Sequence, residues 1–247
     1  MPEHLRLDQL LVDRGLFASR SRARDAIDRG TVSVDKRIAT KAGMSVAHDC
    51  EIAIDDPAQA YVSRAALKLI AGLDHFALPV AGRHCLDIGA STGGFTQVLL
   101  EREAKSVVAV DVGHDQLAAS LRGDARVLNL EGLNARSLTR TDIGPEPVHA
   151  VVSDVSFISL KIALPLALSL AEPGAWCVLL VKPQFEAGRE AIGKGGILRD
   201  ASLGPAIAED MGVWLNSLGG WRAVGVIPSP ISGGDGNQEF LLAGMKT

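Results

Sequence analysis

The sequence has few aromatic residues and few cysteines, which limits base stacking and argues against disulfides and zinc sites. Aromatics make up 4% of the 247 residues, so the chain cannot offer many platforms on which bases stack. The three cysteines, Cys50, Cys85 and Cys177, are far apart and odd in number, and none belongs to a CxxC pair. This spacing argues against a zinc site and against structural disulfides, and it fits a reducing compartment. We therefore expect no metal ion.

Long hydrophobic runs and a secretory signal are also missing. The apolar stretches at 162–171 and 176–181 are too short to span a bilayer. The first residues lack a basic segment followed by an apolar one, so no signal peptide is visible. We expect a soluble, cytoplasmic protein that does not act on membranes.

An excess of positive charge, the usual mark of a nucleic-acid-binding protein, is absent from the chain as a whole. The net charge is −4, so RNA binding would have to depend on a local patch. One such patch lies at 17–41, where seven basic residues stand beside three acidic ones. Arg20 and Arg24 are four residues apart, so a helix would place them on one face, where they could bind phosphates without reading bases. A solvated helix face explains the charge alone equally well.

The order of residues in the first 55 positions distinguishes these two interpretations. The predicted elements are two short helices, at 7–14 and 19–27, and two alternating strands, at 31–35 and 51–55. The strings in this order are RLDQLL from Arg6, SRSRARDAI from Ser19 and GTVSVDKR from Gly30. Together they resemble the S4-type RNA-binding domain, which implies a small α+β module over 1–56 and a linker at 57–62. The expected RNA contacts are Arg6, Arg20, Arg22, Arg24, Lys36, Arg37 and Lys41, with Arg64, Arg189 and Lys194 outside the module.

Beyond the linker, strands and helices alternate. The predicted strands lie at 84–88, 106–111, 126–128, 150–154, 176–182, 221–227 and 239–243. The predicted helices lie at 61–76, 93–102, 114–121, 159–170 and 201–218. Apolar strands separated by helices indicate a mostly parallel sheet covered on both faces, an α/β fold of the Rossmann type. The last strand follows its predecessor by a short Gly-rich connection without a helix, so it should run antiparallel.

A glycine-rich turn, LDIGASTGGF from Leu86, follows the first of these strands and opens a helix, where a Rossmann-like sheet binds its cofactor. Ser91 occupies the position of the middle glycine of the dinucleotide fingerprint, where a side chain would crowd a pyrophosphate. Asp111 ends the next strand, 22 residues after Gly89, and is placed to accept hydrogen bonds from ribose hydroxyls. These details favour S-adenosylmethionine over the two alternatives, NAD and a tight turn that binds no ligand.

Four charged residues are expected at one edge of the sheet. Asp154 and Lys182 end two strands, and ligands bind outside the carboxyl ends of the strands in an open parallel sheet. Glu239 begins the antiparallel strand and therefore lies at the same edge, which Lys68, on the helix before the first strand, can reach. A lysine at the end of a buried strand is costly unless it is solvated or paired, so a structural salt bridge is the alternative.

These four positions resemble the Lys-Asp-Lys-Glu tetrad of the FtsJ-type RNA 2′-O-methyltransferases. The matching strings are SRAALK ending at Lys68, SDVS around Asp154, VKPQF around Lys182 and NQEF around Glu239. An S4-like module followed by an FtsJ-like domain over 63–247 resembles the TlyA family across nearly the whole chain. The resemblance implies S-adenosylmethionine-dependent methylation of a cytidine ribose in 16S or 23S ribosomal RNA, or both, within ribosomal subunits, and no action on DNA. The cofactor site then comprises Asp87, Gly89, Ser91, Gly93, Gly94, Phe95, Asp111 and Asn134.

The residue types fit the chemistry of such a reaction. A ribose hydroxyl attacks a methyl group only as a base accepts its proton. We expect Lys182 to be that base, since burial and a second cation, Lys68, both favour the neutral form of a lysine. Asp154 and Glu239 would hold the lysine and the ribose in place. The Gly-rich segment 183–198 is expected either to order over RNA or to be an ordinary flexible connection.

Three other functions compete with this one. A binding protein that kept the cofactor site but lost catalysis conflicts with the intact tetrad. A membrane-lytic hemolysin would need a spanning helix or a set of amphipathic strands, and the sequence has neither. A small-molecule methyltransferase would leave the basic N-terminal module without a purpose. Ser156 and Ser159, which follow Asp154, are expected to cap the next helix rather than to act as nucleophiles.

Overall fold

The computed structural model describes residues 4–247. The chain divides into two compact units, one ending at Gln59 and the other beginning at Ala60, and this division falls inside the predicted linker, 57–62. The elements of the first unit are β1 (His4–Arg6), α1 (Leu7–Asp13), α2 (Arg20–Asp28), β2 (Val32–Val34), β3 (Arg37–Ile38), β4 (Ser45–Ala47) and β5 (Ile52–Ile54), followed by a 3-10 turn at Pro57–Ala60.

The first unit has its own hydrophobic core. Leu7, Leu10 and Leu11 recur at helical spacing on α1 and are fully buried together with Ile27 of α2. Strand β1 pairs with β4, and β2 lies between β3 and β5, with all pairs antiparallel. Helix α2 begins after Ser19, whose hydroxyl accepts a hydrogen bond from the Arg22 backbone N–H at 3.3 Å. The unit is the small α+β module that the sequence predicts.

The second unit alternates strands with helices. Its elements are α3 (Ala66–His75), β6 (His84–Ile88), α4 (Gly94–Glu101), β7 (Ser106–Asp111), α5 (Ala119–Arg122), β8 (Val127–Glu131), α6 (Arg140–Ile143), β9 (Val148–Ser153), α7 (Leu160–Ala163), α8 (Pro165–Ser169), β10 (Ala171–Val181), α9 (Pro183–Glu186), α10 (Gly204–Ser217), β11 (Trp221–Pro228) and β12 (Phe240–Lys246). Single 3-10 turns lie at Ala135–Ser137, Arg189–Ala191, Lys194–Gly196 and Ala201–Leu203.

The strands of the second unit form one seven-stranded sheet in the order β11-β12-β10-β9-β6-β7-β8. The contacts from β10 through β9, β6 and β7 to β8 are parallel, whereas β12 is antiparallel to both β10 and β11. Strand β6 is buried along its whole length because hydrophobic clusters cover both faces of the sheet. The prediction of a Rossmann-like α/β fold with an antiparallel last strand is confirmed.

Three predicted helices are shorter than expected, and the first of them, predicted at 61–76, begins only at Ala66 as α3. The helix predicted at 159–170 is divided into α7 and α8, because Pro165 cannot donate the backbone hydrogen bond that a continuous helix needs there. Of the helix predicted at 114–121, only α5 forms, since Glu131 accepts hydrogen bonds from the backbone of Gln116 and Leu117 and holds this segment in another conformation. Strands β1, β3 and β4 were not predicted, as strands of two or three residues carry almost no periodic signal.

Candidate active site

The ends of three adjacent strands bring charged residues to one edge of the sheet. Asp154 directly follows β9, Lys182 directly follows β10, and Glu239 directly precedes β12. The register pairs Val181 with Phe240, so the end of β10 and the start of β12 meet at this edge. The reversal of β12 is therefore what places Glu239 beside the ends of the parallel strands.

The four predicted residues Lys68, Asp154, Lys182 and Glu239, which we call the tetrad, form a continuous chain of ionic contacts. The Lys68 ammonium binds Glu239 Oε2 at 2.5 Å and lies 4.0 Å from Asp154 Oδ2. The Lys182 ammonium binds Asp154 Oδ1 at 2.6 Å. Both lysines and Glu239 are buried, which is tolerable because two cations and two anions compensate each other.

Ser156 is a further member of the site that the sequence analysis placed elsewhere. Its hydroxyl accepts a hydrogen bond of 2.6 Å from the Lys182 ammonium. The expectation that Ser156 caps the next helix is wrong, whereas Ser159 does cap α7 by accepting from the Lys161 backbone N–H. A serine two residues after the strand-end acid was the available signal, because a hydroxyl so close to Asp154 is within reach of whatever binds that acid.

The loop between Asp154 and α7 is braced by the segment after Lys182. Glu186 of α9 accepts a hydrogen bond from the Ser159 hydroxyl at 2.5 Å and from the Leu160 backbone N–H at 2.7 Å. A carboxylate at a helix N-terminus is favourably placed. This contact fixes the two strand-end segments against each other, so the spacing between Asp154 and Lys182 is set by more than their own ion pair.

Two adjoining cavities open at this edge of the sheet. The smaller, the tetrad cavity, has a volume of about 190 Å³ and is lined by all four members of the tetrad. The larger, the cofactor cavity, has a volume of about 500 Å³ and is lined by the ends of β6 and β7 and by the segment after Asp154. Gly89, Ser91, Asp154 and Ser156 line both. A molecule in the larger cavity therefore lies next to the tetrad.

The glycine-rich turn forms the wall between the two cavities. Gly89 has a φ of +82°, and a Cβ there would lie 3.0 Å from the Val155 backbone nitrogen, so only glycine allows the turn to approach the end of β9. Ser91 also has a left-handed φ, +48°. The Ser91 backbone N–H donates to Asp111 Oδ2 at 2.8 Å, which fixes the turn to the end of β7. Gly94 and Phe95 line the tetrad cavity.

Two predicted cofactor residues do not reach either cavity. A Cβ on Gly93 would lie 2.3 Å from Leu121 Cδ1 and 2.8 Å from Leu117 Cδ1, so this glycine serves helix packing. The Asp87 carboxyl is fully buried, with Oδ2 accepting from the Thr96 hydroxyl at 2.7 Å and Oδ1 without a hydrogen-bond partner among residues 4–247. Burial raises the pKa of Asp87 to about 7 against the effect of the Thr96 hydrogen bond, with Asp154 and Asp111 raising it further.

The lining of the cofactor cavity fits a nucleoside-containing molecule. Its volume lies in the range usual for small-molecule sites, and Val110, Leu133 and Ile158 offer apolar walls. Asp111 uses one lone pair of each oxygen for the Ser91 and Gly113 backbone N–H groups, so each oxygen keeps another for a ribose hydroxyl. Asn134 lines the same cavity, and its side-chain oxygen accepts from the Arg136 backbone.

An exposed aromatic side chain stands at the rim of the cofactor cavity, at a position that no sequence motif marks. Phe157 is 88% exposed and has a φ of +65°, a conformation that non-glycine residues adopt rarely. Its ring lies 5.3 Å from that of Phe185. A strained backbone that presents an apolar ring to solvent beside Asp154 indicates a function at this position.

The Gly-rich segment 183–198 is a closed loop. Ile192 and Leu198 form an antiparallel bridge, and Gly193 donates to the Ile197 carbonyl at 2.7 Å. Asn237, which is buried two residues before Glu239, accepts from the Leu198 backbone N–H and donates to the Gly196 carbonyl. The two expected RNA contacts in this loop, Arg189 and Lys194, are exposed.

The expected RNA contacts of the first unit fall into two groups. Lys36, Arg37 and Lys41 are exposed on or near the turn between β2 and β3, where Asp35 and Lys36 both have a left-handed φ. Arg6, Arg20 and Arg24 surround the buried carboxylate of Asp8. Arg22 donates to the Ala58 carbonyl, and Arg64 in the second unit is partly buried.

Comparison with known proteins identifies both units. Residues 61–246 match the model of the FtsJ-like methyltransferases, and residues 5–50 match that of the S4 domain. The 16S/23S rRNA (cytidine-2′-O)-methyltransferase TlyA of Mycobacterium tuberculosis is 46% identical over 98% of this chain and 90% of its own length. Hemolysin A of Brachyspira hyodysenteriae is 39% identical over 96% of this chain and 98% of its own length. A solved structure of a hemolysin-named protein from Streptococcus thermophilus has a TM-score of 0.76 at 40% identity, covering 100% of this chain and 90% of that one.

Among residues 4–247, no helix is both long enough and apolar enough to cross a membrane. The two matched models together account for nearly the whole sequence, in the order expected from the residues. The chain belongs to the FtsJ-like methyltransferases and, through its S4 domain and its full-length similarity, to the TlyA family among them.

Proposed function

We propose that this chain transfers a methyl group from S-adenosylmethionine to the 2′-hydroxyl of a cytidine in 16S or 23S ribosomal RNA, or in both. The observation that carries the proposal is the tetrad in a small polar cavity next to a cavity of cofactor size. Ribosomal subunits in the cytoplasm are the proposed substrate, and neither DNA nor a membrane has a part in the reaction.

The cofactor is held by the turn and by the ends of β6 and β7. S-adenosylmethionine supplies an electrophilic methyl group when it is bound. Asp111 would accept hydrogen bonds from ribose hydroxyls, and the apolar walls and Asn134 would bind the adenine. Gly89, Ser91, Gly94 and Phe95 would hold the methionine part. Asp87 lines neither cavity, so it would act on the methionine ammonium only through an intervening water, bound to the Oδ1 that has no partner among residues 4–247.

Lys182 is the base: its ammonium first releases one proton to solvent, and the neutral amine then accepts the proton that the 2′-hydroxyl loses. Asp154 and Ser156 hold the Lys182 nitrogen from two sides, so it keeps one orientation as the hydroxyl approaches. Lys68 joins Asp154 to Glu239 and thereby fixes the other half of the site. Much of the acceleration comes from holding hydroxyl, base and methyl donor in one geometry.

RNA is bound by the basic residues of the S4 domain and by those around the active site. The expected contacts are Arg6, Arg20, Arg22, Arg24, Lys36, Arg37 and Lys41 in the first unit and Arg64, Arg189 and Lys194 in the second. These contacts go to phosphates and so position the RNA without reading its sequence. Phe157 offers its exposed ring to the unstacked base of the target nucleotide, since single-stranded bases are usually bound by stacking.

Incubation of the purified chain with methyl-labelled S-adenosylmethionine and ribosomal subunits from a strain that lacks the gene tests the proposal. Label is expected in RNA, and nuclease digestion followed by mass spectrometry should recover it as 2′-O-methylcytidine. The Lys182→Met protein should transfer at least about 100-fold less label in the same time. Label on a base, on another nucleoside or on no RNA at all would refute the proposed function.

A further inference from the structure

One acidic residue of the S4 domain is placed where an acid is least expected, among the arginines proposed to bind RNA. Asp8 in the first turn of α1 has no exposed side-chain surface. Arg6 binds its carboxylate with two nitrogens, Nε to Oδ1 at 3.1 Å and Nη2 to Oδ2 at 3.2 Å. Arg20 Nη2 and Arg24 Nε bind Oδ2 at 3.0 Å and 2.7 Å. We call these three residues the arginine cluster.

The arginine cluster is half exposed although its anchor is buried. The exposed fractions of the side chains are 53% for Arg6, 44% for Arg20 and 49% for Arg24, against 0% for Asp8. Each guanidinium has five N–H donors, and Asp8 uses two from Arg6 and one from each of the others. Three cations around one anion therefore keep an excess of positive charge and most of their donors.

The Asp8 side chain is ionised at neutral pH. The hydrogen bond from Arg6, with those from Arg24 and Arg20, holds the pKa of Asp8 well below its usual range, against the opposing effect of burial. Three like charges that close together would repel one another without the shared carboxylate. Free arginine side chains also populate many rotamers, and binding a phosphate would require each of them to be ordered.

Gly43 gives independent evidence that the position of Arg6 is built into the fold. A Cβ on Gly43 would lie 3.0 Å from Arg6 Nη1, 3.1 Å from Nη2 and 3.2 Å from Cζ, which is closer than side-chain contacts normally come. The φ of Gly43 is not in the left-handed region, so the backbone does not itself require glycine here. The missing side chain leaves the space in which the Arg6 guanidinium lies.

We propose that Asp8 is a positioning residue for RNA binding: its buried carboxylate fixes Arg6, Arg20 and Arg24 as one preorganised group that binds the phosphates of RNA. The inference rests on the proposed function, since it names how the S4 domain of a ribosomal-RNA methyltransferase holds its substrate. An anion thus raises the affinity of the chain for a polyanion, because the free energy of ordering three arginines is supplied by folding and not by binding.

The test compares two neutralising substitutions in the full-length chain. Asp8→Asn and Asp28→Asn each remove one negative charge from the same domain, and Asp28 is exposed on α2. Charge alone predicts that both variants bind RNA more tightly than the wild type. Preorganisation predicts that Asp28→Asn binds as well or better, whereas Asp8→Asn binds about tenfold more weakly. The measurement is fluorescence anisotropy with labelled 16S and 23S ribosomal RNA transcripts.

Gly43→Ala is the variant that changes no charge and leaves α1 intact. Its methyl group displaces only the far end of the Arg6 side chain, and a fewfold loss of RNA affinity is expected. Thermal unfolding of each variant shows whether it is folded. If Asp8→Asn fails to fold, Gly43→Ala decides alone, and an unchanged affinity overturns the inference.

Kinetics separate positioning of RNA from a merely structural effect. The Asp8→Asn protein should have a raised KM for ribosomal subunits with an unchanged kcat and an unchanged affinity for S-adenosylmethionine. If the wild type binds and methylates RNA but Asp8→Asn and Asp28→Asn bind RNA with equal affinity, this inference alone is wrong. Absence of RNA binding or methylation by the wild type would instead sink the proposed function. Preference of the wild type for anionic phospholipid vesicles over RNA would assign the cluster to a membrane surface and overturn the inference.

Discussion

The tetrad and the arginine cluster both depend on a carboxylate held by cations, but they expose those cations differently. In the tetrad, two lysines and two acids balance, and the cations are almost entirely buried. In the arginine cluster, three cations share one buried acid and remain half exposed. Balanced, buried charge favours fixed geometry for chemistry, whereas unbalanced, exposed charge favours binding of a polyanion. This contrast is tested by variants that change the methylation rate but not the affinity for RNA, or the affinity for RNA but not the methylation rate.

Removal of Lys182 should have the largest effect. Lys182→Met is expected to lower kcat by about 100- to 10,000-fold, the contribution typical of a general base. Affinity for RNA should not change, because the arginine cluster is untouched. Single-turnover methyl transfer and RNA binding measure the two quantities. Lys161→Met is the matched control, since Lys161 is exposed on α7, and a similar loss there would show that Lys182 has no special part.

Removal of one charge from the other half of the tetrad should reduce stability as well as activity. Glu239→Gln removes the nearer of the two carboxylates that compensate the buried Lys68 ammonium and leaves only Asp154, 4.0 Å away, which costs up to about 3–5 kcal/mol of unfolding free energy. The double variant Lys68→Met/Glu239→Met, which buries no charge in this half, should recover most of that stability and stay inactive. Urea denaturation measures the stabilities. A double variant as unstable as the single one would mean that packing, not charge, is lost.

The buried acids of the two units should respond to pH in opposite directions. The pKa of Asp87 is raised by burial to about 7, so between about pH 4 and 7 the folded chain holds a proton that the unfolded chain has lost. Stability should therefore fall as pH rises through this window, and Asp87→Asn should remove the slope. Asp8, whose pKa is lowered, contributes stability that is lost only below about pH 4.

Denaturation curves from pH 4 to 8 measure how stability depends on the ionisation of Asp87. Asp8 stays ionised over this range and does not contribute to the slope. Asp28→Asn, at an exposed acid of the first unit, should keep the wild-type slope. An unaltered slope in Asp87→Asn would mean that Asp87 is ionised throughout the window and has a partner that compensates it.

Loss of the Ser156 hydroxyl should have a smaller effect on catalysis. Ser156→Ala removes one of the two groups that hold the Lys182 nitrogen, and a hydrogen bond to a charged group is worth about 1.5–3 kcal/mol. We expect kcat to fall roughly 10- to 150-fold with KM for RNA unchanged, and Ser156→Thr to recover part of the activity. A change confined to KM would show that Ser156 contacts substrate rather than positioning the lysine.

The smallest effect belongs to a single arginine of the cluster. Arg24→Ala should weaken RNA binding a fewfold and reduce the slope of log affinity against log salt by about 0.7–0.9, the value for one phosphate contact. The kcat at saturating RNA should stay at the wild-type level. Titration at several salt concentrations measures both. A loss of affinity with no change in slope would indicate that Arg24 does not contact a phosphate.

Sequence patterns predicted most of the sheet but fewer of its helices. Strands β6, β7 and β10 were foreseen because continuous apolar runs bounded by turn residues are a strong signal. The full extent of two helices was not, since Glu131 captures the backbone N–H groups before α5 from a distance in sequence and Pro165 divides the helix predicted at 159–170. The four residues predicted at the sheet edge lie together in the structure, but their partner Ser156 was misassigned because capping is the commoner role of such a serine.

The sequence by itself determined the order of elements, the two modules and the residue types at the sheet edge, because periodicity and turn residues are local properties. Only the tertiary structure decided which charges meet. Lys68 pairs with Glu239, which is distant in sequence, and Asp87 and Gly93 lie outside the cofactor cavity. Asp8 binds three arginines that the sequence alone suggests are unpaired positive charges. The physical reason is that burial and ion pairing depend on distances between residues far apart along the chain, which no local pattern contains.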